Sequence, residues 1–190
     1  IRKKDPNMSS IGIEGLSIYS PGQQFPLTTL SELRGHASGY FTKSSGHISM
    51  AIPMMHEDVV TMAAEACSKL PCSLDDVTLV LFATESSKDQ SKAQGIYLHR
   101  LLQLRLDCRV IELKQACYSA TAGIQLAIAH VMRHPKEKVI VVASDIAFYE
   151  PNTVAEGSQG AGATAILISH DAKIATLSDD AGFITEDHMD

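Results

Sequence analysis

The stretch Glu112-Leu-Lys-Gln-Ala-Cys117-Tyr-Ser-Ala-Thr-Ala-Gly123 joins a strand to a helix. The run Cys108 to Leu113 before it reads as a strand, and an apolar-periodic helix follows from Tyr118 to Arg133. Cys117 stands at the joint, with small residues after it. A helix amino terminus offers unpaired N–H groups and a partial positive charge, and both favour a thiolate over a thiol. The same donors can steady an oxyanion on an acyl group carried by that sulfur. The alternative is a buried cysteine packing as a small apolar residue, the commoner role for this side chain.

Val77 to Thr84 is a near-continuous β-branched and apolar run, the pattern of a strand buried on both faces. Lys138 to Ser144 is another. Glu85 directly follows the first of them, and carboxyl ends of strands in open α/β sheets are where ligand sites gather. If the strands ending at Thr84 and Leu113 belong to one parallel set, Glu85 and Cys117 emerge at the same edge. A half-buried carboxylate there would have a raised pKa and serve as a general acid or base. A solvated loop glutamate is the competing and commoner case.

The remaining pattern predicts a strand over Ile11–Tyr19 and helices over Leu27–Arg34, Glu57–Leu70 and Gln90–Leu104. Thr28 and Thr29 are cap candidates for the first helix. Ala163–Ser169 and Ala172–Leu177 read as a hairpin turning at His170-Asp171. Residues 35–56, rich in Gly, Ser, His and Pro, read as an irregular excursion. This order describes an α/β domain with helices packed on a mixed sheet.

A chain of 190 residues, 45% hydrophobic and 20% charged, has ample length for one domain and its core. Its net charge of −6, with no basic cluster, argues against nucleic acid. No apolar run reaches membrane-spanning length, so no membrane partner is expected. Cysteines at 67, 72, 108 and 117 do not make a disulfide framework in a chain this long, which points to a reducing, cytoplasmic setting. Residues 1–8 are polar and unpatterned and read as a tail or remnant, with Met8 a possible natural start. No metal is expected. His130 and His134 have ligand spacing but lack the glutamate of a zinc hydrolase and a third ligand, and suit a surface helix C-terminus better. Cys67 and Cys72 lack a second cysteine pair. Gly157-Ser-Gln-Gly-Ala-Gly162 resembles a phosphate loop but precedes a strand, so the dinucleotide fingerprint fails.

Four blocks then coincide with one family. They are Thr84-Glu85-Ser86-Ser87-Lys88-Asp89-Gln90-Ser91-Lys92, Leu98-His99-Arg100-Leu101-Leu102, the Cys117 stretch, and Gln159-Gly-Ala-Gly-Ala163. In order and nearly without gaps from Ile11 to Asp190, the chain resembles 3-hydroxy-3-methylglutaryl-CoA (HMG-CoA) synthases, most of all the bacterial mevalonate-pathway branch. The resemblance implies a thiolase-like layered half, a mixed five-stranded sheet with helices on both faces, normally paired with a second similar half. It implies that residues 9–190 are the N-terminal domain carrying the nucleophile. It implies acylation of Cys117 by acetyl-CoA, proton removal from the acetyl methyl group by Glu85, and attack on acetoacetyl-CoA. Asn152 and Ser158 fall where family members contact substrate. The CoA thioesters are substrates, and no cofactor is implied. Family members are about twice as long as this chain, built from two similar halves each near the ordinary domain size, of which this chain resembles the first. The general acid/base histidine comes from their second half, so a C-terminal half or separate subunit is implied as a partner, along with a homodimer.

Two segments depart from the family. Its Asp-x-Gly-Lys reads Ala37-Ser38-Gly39-Tyr40 here, losing a lysine that could meet a CoA phosphate, and a following Gly-rich run reads Lys43-Ser44-Ser45-Gly46-His47. These leave open a polyketide β-branching synthase acting on carrier-bound acyl groups. A non-catalytic interaction module is a third possibility, since a lone half would expose apolar surface.

Overall fold

The computed structural model of the protein describes residues 11–178 and 181–186, with Ser44 and Ser45 as backbone alone. The expected tail at residues 1–8 lies outside them. In chain order the elements are β1 (Gly12–Tyr19), β2 (Gln23–Pro26), α1 (Leu27–Leu33), α2 (Thr42–Ser45), β3 (Ser49–Ile52), α3 (Val59–Ser68), β4 (Val77–Ala83), α4 (Gln94–Leu101), β5 (Arg109–Leu113), α5 (Ser119–Arg133), β6 (Lys138–Ala147), a 3₁₀ turn (Val154–Ser158), β7 (Gly160–Ser169) and β8 (Ala175–Thr176).

The main sheet runs β5-β4-β6-β7-β1-β8. β4 pairs in parallel with β5 and β6, and the remaining neighbours are antiparallel. It is the expected mixed sheet of five long strands, extended by two residues of β8 at one edge.

Strand alternation divides the core in two. Val80 and Phe82 of β4, with Ile140 and Val142 of β6, pack with Val59, Met62, Ala63 and Ala66 of α3. Leu79 and Leu81, with Val139 and Val141, pack with Ala127, Ile128 and Val131 of α5. Both faces are thus covered by helices, and that is why these strands read as unbroken apolar runs. α5 lies close on the sheet because position 123 is glycine: a Cβ there would meet Val141 Cγ1 at 3.0 Å and Leu113 Cδ1 at 3.3 Å.

Local chemistry trims the expected helices. Asp58 caps α3, accepting from Val60 N (3.0 Å) and Thr61 N (2.9 Å), while its own N–H donates to Thr61 Oγ1 (2.7 Å). This is a capping box, and it starts the helix at Val59. Asp89 Oδ1 accepts from Ser91 N and Lys92 N, both at 2.9 Å, and turns the chain before α4. The start therefore moves from Gln90 to Gln94. At α1 the cap position is Pro26, so neither Thr28 nor Thr29 serves as the cap.

Two expectations are corrected. The segment 35–56 is not wholly irregular, because β3 pairs antiparallel with β2 in a separate ribbon, Gln23 opposite Ile52. The hairpin through His170-Asp171 does not form. β7 is already flanked by β6 and β1, so the chain crosses to the free edge of β1. There Ile174 N and Leu177 N donate to Ile13 O and Ile11 O, both at 2.9 Å.

Candidate active site

β4 and β5 run parallel with Ala83 opposite Leu113, so their chains leave the sheet at one edge. Glu85 and Cys117, placed at one edge by the sequence reading if their strands were parallel, line the same cleft there, about 530 Å³ in volume. Thr84, Ser86, Asp145, Phe148 and Tyr149 are among the residues that form its walls.

Cys117 sits on a tight elbow. Ala116 has φ +45°, left-handed backbone that a side chain disfavours. The turn is held by Tyr118 N donating to Gln115 O (3.0 Å) and Ser119 N to Ala116 O (3.2 Å). The buried Ser119 hydroxyl braces it further, donating to Ala116 O (2.9 Å) and accepting from Gln115 N (2.5 Å). Tyr118 is the cap residue of α5, so the sulfur stands just before the helix. The buried-cysteine alternative does not hold: all four thiols are free, and Cys117 is the exposed one. Burial pushes the Cys67 thiol up to about 12 and the Cys108 thiol up to about 11, and raises that of Cys72.

Glu85 is exposed, which is the solvated-loop reading and not the half-buried one. Its backbone, however, is fixed by residues that sequence reasoning missed. Asp145 Oδ1 accepts four hydrogen bonds, from Glu85 N (2.7 Å), Ser86 Oγ (2.8 Å), Thr84 Oγ1 (3.0 Å) and Ser86 N (3.1 Å). Glu112 of β5 takes the far side of the loop, accepting from Ser87 Oγ and from Gln94 N (2.6 Å). The available signal was a lone carboxylate in each strand, placed near its carboxyl end.

Asn152 and Ser158 do not line this cleft. They lie in the β6–β7 loop, both exposed, with Asn152 at φ +67° and Ser158 Oγ donating to Ala155 O (2.7 Å). The glycine-rich run leads into β7, not into a helix. His130 is not a surface residue but half-buried, its Nε2 2.8 Å from Glu137 Oε2, and His134 Nδ1 lies 3.5 Å from Glu137 Oε1. Among the described residues no group of three or more His, Cys, Asp or Glu is placed to hold a metal ion. A larger cleft, about 770 Å³, opens by His130 and Glu137, but several of its charges already pair with each other and it contains no cysteine. Among the described residues no helix is long and apolar enough to cross a membrane.

Residues 7–173 match the family model of the hydroxymethylglutaryl-coenzyme A synthase N terminal region. The chain belongs to the HMG-CoA synthase family. It is 41% identical over 183 residues to the hydroxymethylglutaryl-CoA synthase of Enterococcus faecalis, covering 95% of this chain and 48% of that protein. It is 31% identical to the polyketide biosynthesis 3-hydroxy-3-methylglutaryl-ACP synthase PksG of Bacillus subtilis, covering 88% and 44%. A solved HMG-CoA synthase complexed with CoA superposes with a TM-score of 0.80 at 40% identity, covering 84% of this chain and 42% of that one. The chain thus spans about half the length of the curated relatives it matches and corresponds to their N-terminal half. The family consists of acyl-transferring enzymes, and its thiolase-like layered α/β half is the fold described above.

Proposed function

We propose that this chain carries the acyl-accepting half of an HMG-CoA synthase site. The observation that carries the reading is the shared cleft of Cys117 and Glu85. The Cys117 thiol gives up its proton and its sulfur attacks the carbonyl of acetyl-CoA, the bond from carbon to the CoA sulfur breaks, and the departing CoA sulfur takes up a proton in exchange to leave as the thiol. The new thioester acidifies the acetyl methyl group enough for a carboxylate, and Glu85 takes a proton from it. The enolate carbon bonds to the ketone carbon of acetoacetyl-CoA, and the resulting alkoxide takes a proton from a general acid. Water then cleaves the Cys117 thioester, freeing the thiol and the product's carboxylate.

No histidine lines this cleft among the described residues, so the general acid is assigned to a second half or a separate subunit. Exposed Leu126 and Met132 on α5 offer that half an apolar face. The free edge of β5 offers backbone pairing to a second copy of the chain, the homodimer expected from the family. We place the reaction in the mevalonate branch of a reducing cytoplasm, with Asn152 and Ser158 as substrate contacts and no cofactor beyond the CoA thioesters.

The test is mass measurement after mixing with acetyl-CoA, alone and with the C-terminal half of a family member. One acetyl group should appear, map to Cys117 and vanish in Cys117→Ser, while buried Cys67 and Cys108 stay unmodified. A chain inert in both conditions would sink the enzymatic reading and favour an interaction module. A second reading rests on the Tyr40 departure and the likeness to PksG: an acyl carrier protein supplies the acetyl group. Faster acylation from acetyl-carrier protein than from acetyl-CoA would select it.

A further inference from the structure

Glu156 is a carboxylate only 3% exposed, yet it lies in a loop and outside the cleft. The Arg34 guanidinium, 122 positions away in the chain, grips it in a fork. Arg34 Nε lies 3.0 and 3.1 Å from the two carboxylate oxygens, and Nη2 lies 2.6 Å from Oε1. Such charge-assisted, two-pronged pairs are both stronger and more directional than neutral hydrogen bonds. The guanidinium holds the Glu156 carboxyl below the usual carboxylate range.

The other side-chain hydrogen bonds of this loop are mostly internal to it. Its base is closed by Ala147 opposite Gly160 and by Tyr149 N donating to Gln159 Oε1 (2.7 Å). Thr153 Oγ1 donates to Glu150 O (2.7 Å), and Asn152 N donates to Glu156 Oε2 (2.8 Å), beside the left-handed turn at Asn152. The ion pair ties this local unit to α1. Close packing adds one more contact: a Cβ at Gly157 would meet Phe41 Cβ at 2.7 Å. At its other end the loop presents Phe148 and Tyr149, which wall the cleft of Cys117 and Glu85.

We infer that the Arg34–Glu156 pair is a positioning device: Arg34 holds the β6–β7 loop so that its Phe148–Tyr149 wall and Asn152 are set for binding the acyl thioester. The inference rests on the acyl chemistry proposed above. Arg34 does not line the cleft, so its role is in recognition and not in the bond-making step.

The experiment uses Arg34→Met, Arg34→Lys and Glu156→Gln, under whichever condition acetylates the parent. Three quantities are read: Cys117 acetylation against acetyl-CoA concentration, Cys117 alkylation by iodoacetamide, and amide exchange over residues 148–159. Arg34→Met should raise the half-saturating concentration about tenfold, equivalent to about 1.4 kcal/mol. Maximal rate and alkylation should change little, as expected for loss of binding alone. Amide exchange in the loop should quicken, and Arg34→Lys should fall between parent and Arg34→Met. If Glu156→Gln does not fold, the Arg34 pair, at a side chain 34% exposed, carries the test. Faster exchange with unchanged saturation would overturn the inference and leave the acyl reading intact. A fall in alkylation parallel to acetylation would mean general disturbance, and would also overturn it. A parent that is never acetylated would remove both.

Discussion

Replacing Asp145 by alanine should loosen the Glu85 loop and destabilise the chain. One carboxylate oxygen holds four donors at 2.7–3.1 Å. Hydrogen bonds to a charged group are worth about 1.5–3 kcal/mol each. Their sum does not apply, because four bonds to one atom are strongly coupled and the freed donors on the cleft side can find water. Thr84 cannot do so easily, since it is 1% exposed: its oxygen still accepts from Ser86 N (3.1 Å), but leaving its O–H donor unpaired costs about 1–3 kcal/mol. A net loss of about 3 kcal/mol follows, which lowers the melting temperature by roughly 6–12 °C in a chain of this size. Asp145→Asn keeps an acceptor oxygen but loses the charge, and charged hydrogen bonds are roughly twice as strong as neutral ones. It should lose about half as much. Thermal melts followed by circular dichroism give these values. The loop also carries the proposed base, and displacement by about 1 Å can cost roughly 100-fold in rate. Deuterium uptake into the acetyl methyl group of the acyl-enzyme should therefore fall further than acetylation itself. If Asp145→Ala melted with the parent, or lost acetylation and deuterium uptake in equal measure, the reasoning would be refuted.

Glu14→Gln tests a buried charge cluster, in which Glu14 Oε1 lies 3.0 Å from Lys138 Nζ and 3.2 Å from Lys173 Nζ. Burial raises this carboxyl, but hydrogen bonds from Lys138, Ser169 and Lys173 outweigh it and leave the group below its ordinary value. Its stabilisation is thus present above the unfolded carboxylate pKa of about 4.3 and lost as pH falls through the lower folded value. Urea midpoints should place Glu14→Gln about 2–4 kcal/mol below the parent at pH 7, with the gap closing in acid. Gly12→Ala would put a Cβ 2.0 Å from Ala175 O and 2.8 Å from Thr176 Cα, both backbone atoms that cannot swing aside. β8 should detach at a cost of about 1–3 kcal/mol, seen as faster exchange of the Leu177 amide with the β6–β7 amides unchanged.

Elements whose pattern reports their own surroundings were legible in the chain. β4 and β6 are buried on both faces, so their apolar runs announce them; α3 was legible as a helix, though its pattern starts at Glu57 and the Asp58–Thr61 capping box sets the start at Val59. What failed depends on distant partners. β2 and β3 are four residues each, partly exposed, and acquire meaning only by pairing with one another. The segment after His170 looked like a hairpin arm because the sequence does not disclose that both edges of β7 are occupied. Of the two readings of Glu85, half-buried carboxylate or solvated loop residue, the second holds, because the loop turns it outward to solvent. Arg34 and Glu156 carry no local sign of each other across 122 positions.

Strand order explains why the candidate site forms where it does. β4 is flanked in parallel by β5 and β6, so three chain exits share one edge. The register sets Ala83 opposite Ala143, and Glu85 and Asp145 each lie two residues further on. Equal overhang brings Asp145 Oδ1 to Glu85 N at 2.7 Å. On the other flank Ala83 also faces Leu113, and the elbow at Ala116 then returns Cys117 to the common cleft. A one-residue slip of β6 would turn its side chains to opposite faces and remove Asp145 from the loop. Val139 and Val141 pack toward α5 while Ile140 and Val142 pack toward α3, so that slip would disrupt both cores at once. The packing that makes the strands recognisable is therefore the same packing that holds the proposed base in register with the nucleophile.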